Sequence, residues 1–164
     1  MIYFCDGEFD GLLDELTKIH CWSFKGTDRQ AHTHTGSCTY FFEEVLQDQD
    51  TVVTHNGFGY DFEALIKMQV IKGYSVLPDS ITLMDGTAKN VQLIDTLAMS
   101  RSWFPDLPGG HSLAAYAERL NGVKPVVESW KDEPIEVYVE RCEADVVLTE
   151  QVFEYLCGKL EIEV

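Results

Sequence analysis

Cations are scarce in this sequence: 12 Lys and Arg stand against 28 Asp and Glu in 164 residues, a formal net charge of −16. A chain that grips nucleic acid by charge alone carries a surplus of Lys and Arg, so that mode of binding is excluded, whereas a site for cations is not. Long apolar runs are missing too. None approaches the roughly 18 to 20 residues of a membrane span, and no basic stretch precedes a hydrophobic segment at the N-terminus. The expectation is a soluble, unexported protein of the cytoplasm with no membrane partner. No CxxC pair occurs, and the five cysteines, Cys5, Cys21, Cys38, Cys142 and Cys157, are an odd number. In a chain too large to depend on disulfides this predicts free thiols in a reducing compartment. Repeats and low-complexity linkers are also absent, so residues 1–164 read as one domain. The 45% apolar content, with 12% aromatics, supplies its core and excludes intrinsic disorder.

What is present is an alternation of strand and helix patterns. Ile2 to Cys5 is apolar and β-prone and runs into Asp6-Gly7-Glu8, so the first strand ends in carboxylates. Lys18–Phe24 and Gln30–Thr35 read as a second and third strand, with Gly26 and Asp28 marking the hairpin between them. Tyr40–Leu46 and Tyr60–Val70 carry helical spacing on either side of a β-branched strand, Thr51–Thr54. Val91–Ile94 is a short strand ending at Asp95, and Ser112–Leu120 is an amphipathic helix entered from Pro108-Gly109-Gly110. A last long helix starts near Pro134, with Ile135, Val139, Cys142, Val146, Thr149 and Phe153 recurring every three or four positions. Early strands followed by alternating helices and strands predict an α/β fold, a mixed sheet flanked by helices.

Three places in this order could carry chemistry. Asp6 and Glu8 are two apart on a strand, so both side chains leave one face and can reach one metal ion. His55-Asn56-Gly57-Phe58-Gly59-Tyr60-Asp61 leads from a strand into a helix, with two glycines that let backbone approach a ligand. Asp145 lies among apolar residues of the last helix, where a carboxylate sits at an edge or binds a cation. An Asp-x-Glu triplet alone is common in acidic chains; the combination is more specific.

Five segments in order carry a resemblance. Cys5-Asp6-Gly7-Glu8, His55-Asn56-Gly57 through Tyr60-Asp61, Leu93-Ile94-Asp95-Thr96-Leu97, His111-Ser112-Leu113 through Arg119-Leu120, and Glu143-Ala144-Asp145-Val146-Val147-Leu148-Thr149 span nearly the whole chain. They resemble the motifs of the 3′→5′ proofreading exonuclease domain of family A DNA polymerases, phage ones in particular, within the DEDD group of ribonuclease-H-like nucleases. The resemblance implies a ribonuclease-H-like mixed five-stranded sheet and two divalent cations, Mg²⁺ or Mn²⁺, held by Asp6, Glu8, Asp61 and Asp145. In that pattern Asp6 bridges both ions, Glu8 and Asp145 complete the water-activating site, and Asp61 serves the second, more weakly bound ion. Two hard cations roughly 3.5 to 4 Å apart can activate a water and stabilise the leaving 3′ oxygen, and they prefer carboxylate oxygen. Leu12 and Phe58 are the implied contacts to the terminal bases of the substrate, with Leu13 and Phe62 weaker candidates, and Asn56 is a polar group beside the substrate on a loop. Asp95 is implied to lie beside the site without being a ligand; the alternative is a cap on a helix beginning at Thr96.

The third motif departs from the pattern. The family carries a tyrosine four residues before the last aspartate, or a histidine five before it, and here those places hold Arg141 and Glu140. Arginine cannot act as a base near neutral pH, and its cation competes with metal for the carboxylates. Tyr138 is two turns away from Asp145, about 10 Å at 1.5 Å per residue, too far for direct help. Either the metals alone activate the water, or Arg141 takes a new role such as holding a phosphate, or the enzyme is weakened. The expectation is a slow but real two-metal 3′→5′ exonuclease releasing nucleoside 5′-monophosphates from single-stranded or frayed DNA 3′ ends. It would act as a stand-alone chain, working with a separately encoded DNA polymerase. The alternatives are the same chemistry on short RNA, and a catalytically silent module that binds a nucleic-acid end or regulates a polymerase. His32, His34 and Cys38 do not complete a zinc-ligand spacing, the two histidines reading as alternate residues of a strand facing water, and Trp22, Trp103 and Trp130 read as packing residues.

Overall fold

The computed structural model describes residues 1–27 and 29–161. The central sheet has five strands: β1 (Ile2–Phe9), β2 (Ile19–Gly26), β3 (His32–His34), β4 (Thr51–Thr54) and β8 (Gln92–Asp95), in the order β3-β2-β1-β4-β8. The first three pair antiparallel, and β4 and β8 join parallel to β1, so the sheet is mixed. This is the expected ribonuclease-H-like, α/β arrangement. Asp28, read as part of the first hairpin, lies outside the described residues.

The pleat of β1 divides the protein. Tyr3, Cys5 and Phe9 point into a core with Trp22, Phe41, Phe42, Phe62 and Leu65, whereas Phe4 points to the opposite face, against Val53, Val146 and Phe153. That second face is covered by α4 (Ile135–Lys159), 25 residues long, and its N-terminus follows Pro134 as the sequence suggests. Thr33 of β3 donates to the Glu143 carboxylate at 2.6 Å, which fixes the rotation of α4 over the sheet. The helices α2 (Thr96–Trp103) and α3 (Leu113–Leu120) pack beside α4, and each is capped by a side chain: Asp95 accepts from Leu97 and Ala98, Ser112 from Ala115.

Three expectations need correction. Tyr40–Leu46 forms a π-helical turn over Phe41–Val45, not an α-helix, and the second helical stretch is a π-turn, Gly57–Asp61, continued by a short α1, Phe62–Lys67. A small antiparallel sheet, β5 (Gly73–Ser75), β6 (Ser80–Thr82) and β7 (Ala88–Asn90), was not foreseen; Tyr74 of β5 seats it against Phe62. Only Trp22 of the three tryptophans is a core residue, since Trp103 is 62% and Trp130 39% exposed. All five cysteines are free, as expected. His32 and His34 lie against Phe24, and no metal-ligating cluster forms around them among the described residues.

Candidate active site

β4 pairs with β1 only along Ile2–Phe4, so the Asp6-Gly7-Glu8 end of β1 has an open edge on that side. The chain leaves β4, turns at Asn56 with φ 68°, and winds through the π-turn that ends at Asp61. Asp61 thereby reaches the open edge, where the Gly7 amide favours its ionised carboxylate. A π-turn carries an extra residue per turn relative to an α-helix, and such turns often re-aim a functional side chain. The turn requires glycine at its start. A Cβ on Gly57 would stand 2.1 Å from Thr54 Oγ1 and 2.8 Å from its Cβ.

Asp95 holds this turn in place. Its buried carboxylate accepts from the amides of Asn56 at 2.9 Å and Phe58 at 3.2 Å while capping α2 through Leu97 at 2.9 Å. The two readings of Asp95, support and cap, are thus one arrangement.

From the other face, α4 presents Arg141, Cys142 and Asp145. Asp6, Glu8 and Cys142 form the one compact group of potential metal-ligating atoms found among the described residues, all within 4.8 Å of one another. The Cys142 thiol donates to the Asp6 carbonyl at 3.2 Å. Arg141 Nε faces Glu8 Oε1 at 3.5 Å and Asp145 Oδ2 at 3.8 Å without a hydrogen bond to either. Lys124, a residue the sequence reading passed over, bonds both oxygens of Asp145 at 2.8 and 2.9 Å.

Lys124 belongs to a strap, residues 121–134, that runs from α3 to α4 across this end of the sheet. Arg141 Nη1 donates to the Pro125 carbonyl at 3.2 Å, and its guanidinium lies over the Trp130 ring at 4.8 Å. Tyr138 donates to the Ser129 carbonyl at 2.7 Å, and its ring stacks on His20, which bonds the Trp130 carbonyl at 2.6 Å. Tyr138 is therefore a strap fastener, consistent with its distance from Asp145.

The electrostatics are those of crowded anions. Burial and then the neighbouring carboxylates of Asp61, Asp145 and Glu8 push the Asp6 carboxyl well above the ordinary range, against the pull of Lys124. Burial and Asp145 raise Glu8 to about 8, although Arg141 and Lys124 oppose the rise. Burial, with Glu8 and Asp95, also raises Asp61 against the Gly7 hydrogen bond. Asp61 and Asp145 thus lie near enough to act on Asp6 by charge, whereas the compact group of ligating atoms consists of Asp6, Glu8 and Cys142.

The expected substrate contacts are more dispersed. Leu12, 67% exposed, lines a cleft of about 710 Å³ with Glu8, Tyr60, Trp130 and Lys131. Phe58 is partly buried and lies parallel to Tyr74 at 6.1 Å, on the small sheet that covers Phe62. Asn56 lines a different cleft, about 560 Å³, with His55, Arg101, His111 and Lys124. Arg141 is committed to the strap and the carboxylates. Leu13 packs against the core and Phe62 belongs to it.

No protein-family model matches this chain, and no curated protein does. Among solved structures 39 chains match. One, described as the apo form of a nuclease, has TM-score 0.63 at 14% identity, covering 98% of this chain and 73% of that one. The likeness shows the shared fold.

Proposed function

We propose that the protein is a metal-dependent nuclease, and more narrowly a 3′→5′ exonuclease of the proofreading type acting on single-stranded or frayed DNA 3′ ends. The observation that carries the reading is the close group Asp6, Glu8 and Cys142, with Asp61 and Asp145 near enough to raise the Asp6 carboxyl and the negative charge only partly answered by Lys124 and Arg141. The fold shared with a nuclease supports it.

The residues present fit hard divalent cations such as Mg²⁺ or Mn²⁺. Buried carboxylates whose mutual repulsion raises their proton affinity are stabilised by cation binding, and oxygen donors suit those ions. Asp6, Glu8, Asp61 and Asp145 would hold them; when bound, the ions activate water and stabilise the leaving 3′ oxygen. The chain's own contribution is placement. Asp95 and the Gly57 turn fix Asp61, and α4 fixes Asp145. Leu12 stands at the mouth of one cleft, available to a terminal base, and Asn56 and Arg101 line the other, available to sugar and phosphate. Arg141 and Glu140 stand where the resembling family has its water-positioning tyrosine or histidine, so slow turnover is expected.

The contacts of Lys124 and Arg141 with Glu8 and Asp145 favour a second reading, a catalytically silent module that binds a nucleic-acid end and regulates a polymerase. A 5′-labelled DNA single strand and a matched RNA, incubated with Mg²⁺, Mn²⁺ or chelator, distinguish the readings. A descending ladder that needs metal and disappears in Asp6→Ala supports the exonuclease, and the two substrates report its sugar preference. No ladder with either metal would replace it with the silent module. A DNA polymerase is the proposed partner, because a chain of charge −16 has little charge of its own to hold DNA.

A further inference from the structure

We propose that Lys124 is a built-in cation of this site: it takes the place of one divalent ion at Asp145, so that the free protein takes up one divalent ion and not two. The inference rests on the metal-dependent reading above. Its first support is geometric. One ammonium engages both oxygens of Asp145, at 2.8 and 2.9 Å, and a divalent ion using that carboxylate would have to displace it or stand against its charge.

Lys124 is also not a wandering surface cation. Its side chain is 19% exposed, and the backbone on both sides is held. Upstream, Asn121 closes α3 in the left-handed conformation at φ 53°. Downstream, the carbonyls of Pro125, Ser129 and Trp130 are bonded by Arg141, Tyr138 and His20. These fasteners include the residue that stands where the resembling family has its water-positioning tyrosine. In this chain Arg141 secures the segment that delivers Lys124.

Charge balance gives the third support. Of the four carboxylates, Asp145 pairs with Lys124 and Glu8 with Arg141, while Asp6 and Asp61 pair with no side-chain cation among the described residues. What remains unanswered is the charge of two carboxylates on adjoining elements, β1 and the π-turn, which one divalent ion neutralises. The single ion then belongs to the Asp6–Asp61 side, away from the ammonium.

Counting Mn²⁺ tests this without turnover. The free-ion electron paramagnetic resonance signal is titrated with wild-type protein, Lys124→Met, Lys124→Arg and Asp145→Asn. The expected counts are one ion per chain for wild type and Lys124→Arg and two for Lys124→Met. Asp145→Asn should keep one ion with affinity within about threefold of wild type, since that ion does not use Asp145. Two ions on the wild type, one on a folded Lys124→Met, or a tenfold affinity loss in Asp145→Asn would each overturn the inference and leave the metal-dependent reading standing. If Lys124→Met does not fold, the wild-type and Asp145→Asn values still decide it. No Mn²⁺ on any of the four proteins would overturn the metal-dependent reading itself.

Discussion

The Asp95 carboxylate and the Asn56 amide, 39 residues apart in the chain, are joined by a hydrogen bond of 2.9 Å that ties the end of β8 to the turn carrying Asp61. The same carboxylate caps α2, so one buried side chain sets both the helix and the turn. Asp95→Ala leaves these amides without their acceptor and should cost about 2–4 kcal/mol in urea unfolding. Hydrogen exchange at Asn56 and Phe58 should accelerate more than at β1; equal exchange at both would show that Asp95 does not hold the turn.

Gly57→Ala forces a Cβ into Thr54 Oγ1, a hydroxyl with no hydrogen-bond partner. The expected loss is about 1–3 kcal/mol, and Thr54→Ala in the same protein should return part of it. Additive losses in the double variant would mean that the two residues do not meet.

Asp6→Asn should stabilise the metal-free protein by about 0.5–2 kcal/mol while abolishing the proposed cleavage, because it removes a carboxyl whose ionisation is opposed by burial and then by three neighbouring carboxylates. Thermal unfolding in chelator reads the first effect. A lowered midpoint would mean that the Asp6 carboxyl makes contacts in the folded protein that an amide does not replace.

Removing the guanidinium with Arg141→Met takes away the Pro125 hydrogen bond and the cation over Trp130. Amide exchange in residues 125–132 should rise at least about tenfold, since the strap would then open locally while the sheet stays closed. Unchanged exchange would show that Tyr138 and His20 suffice to hold it.

Asp10 gives a pH dependence outside the carboxylate cluster. Burial pushes its carboxyl up, but the Thr17 hydroxyl and amide, the Lys18 amide and the charge of Lys131 outweigh this and bring it down to about 2. A lowered carboxylate stabilises the fold above its unfolded value near 4, and that contribution is lost as pH falls from about 4 to about 2. Asp10→Asn should cost about 1–2 kcal/mol at pH 7 and almost nothing near pH 2, measured by urea unfolding across that window. A cost independent of pH would assign the effect to packing.

The five-stranded sheet was legible because each of its strands is an apolar or alternating run, and the long helix because Ile135 to Phe153 repeats at helical spacing. The small sheet was not, since its strands are three residues long and, unlike the equally short β3 joined through the Gly26 hairpin to β2, none of them pairs with a longer strand. π-turns are equally silent, because over five residues their spacing cannot be told from that of an α-helix. Asp6 and Glu8 could be placed on one face from their separation alone, a covalent property of an extended chain. That Cys142 of α4 joins them follows from sheet order and the rotation of α4, which long-range packing decides. Lys124 carried no signal at all. It lies 21 residues before Asp145 in an irregular strap, and only the fastening of that strap by Arg141, Tyr138 and His20 brings its ammonium to the carboxylate. The sequence by itself determined that Asp6 and Glu8 share one face of a strand; the tertiary structure decided that Cys142 joins them and that Asp145 is paired with Lys124, because such contacts depend on distances that chain order does not set.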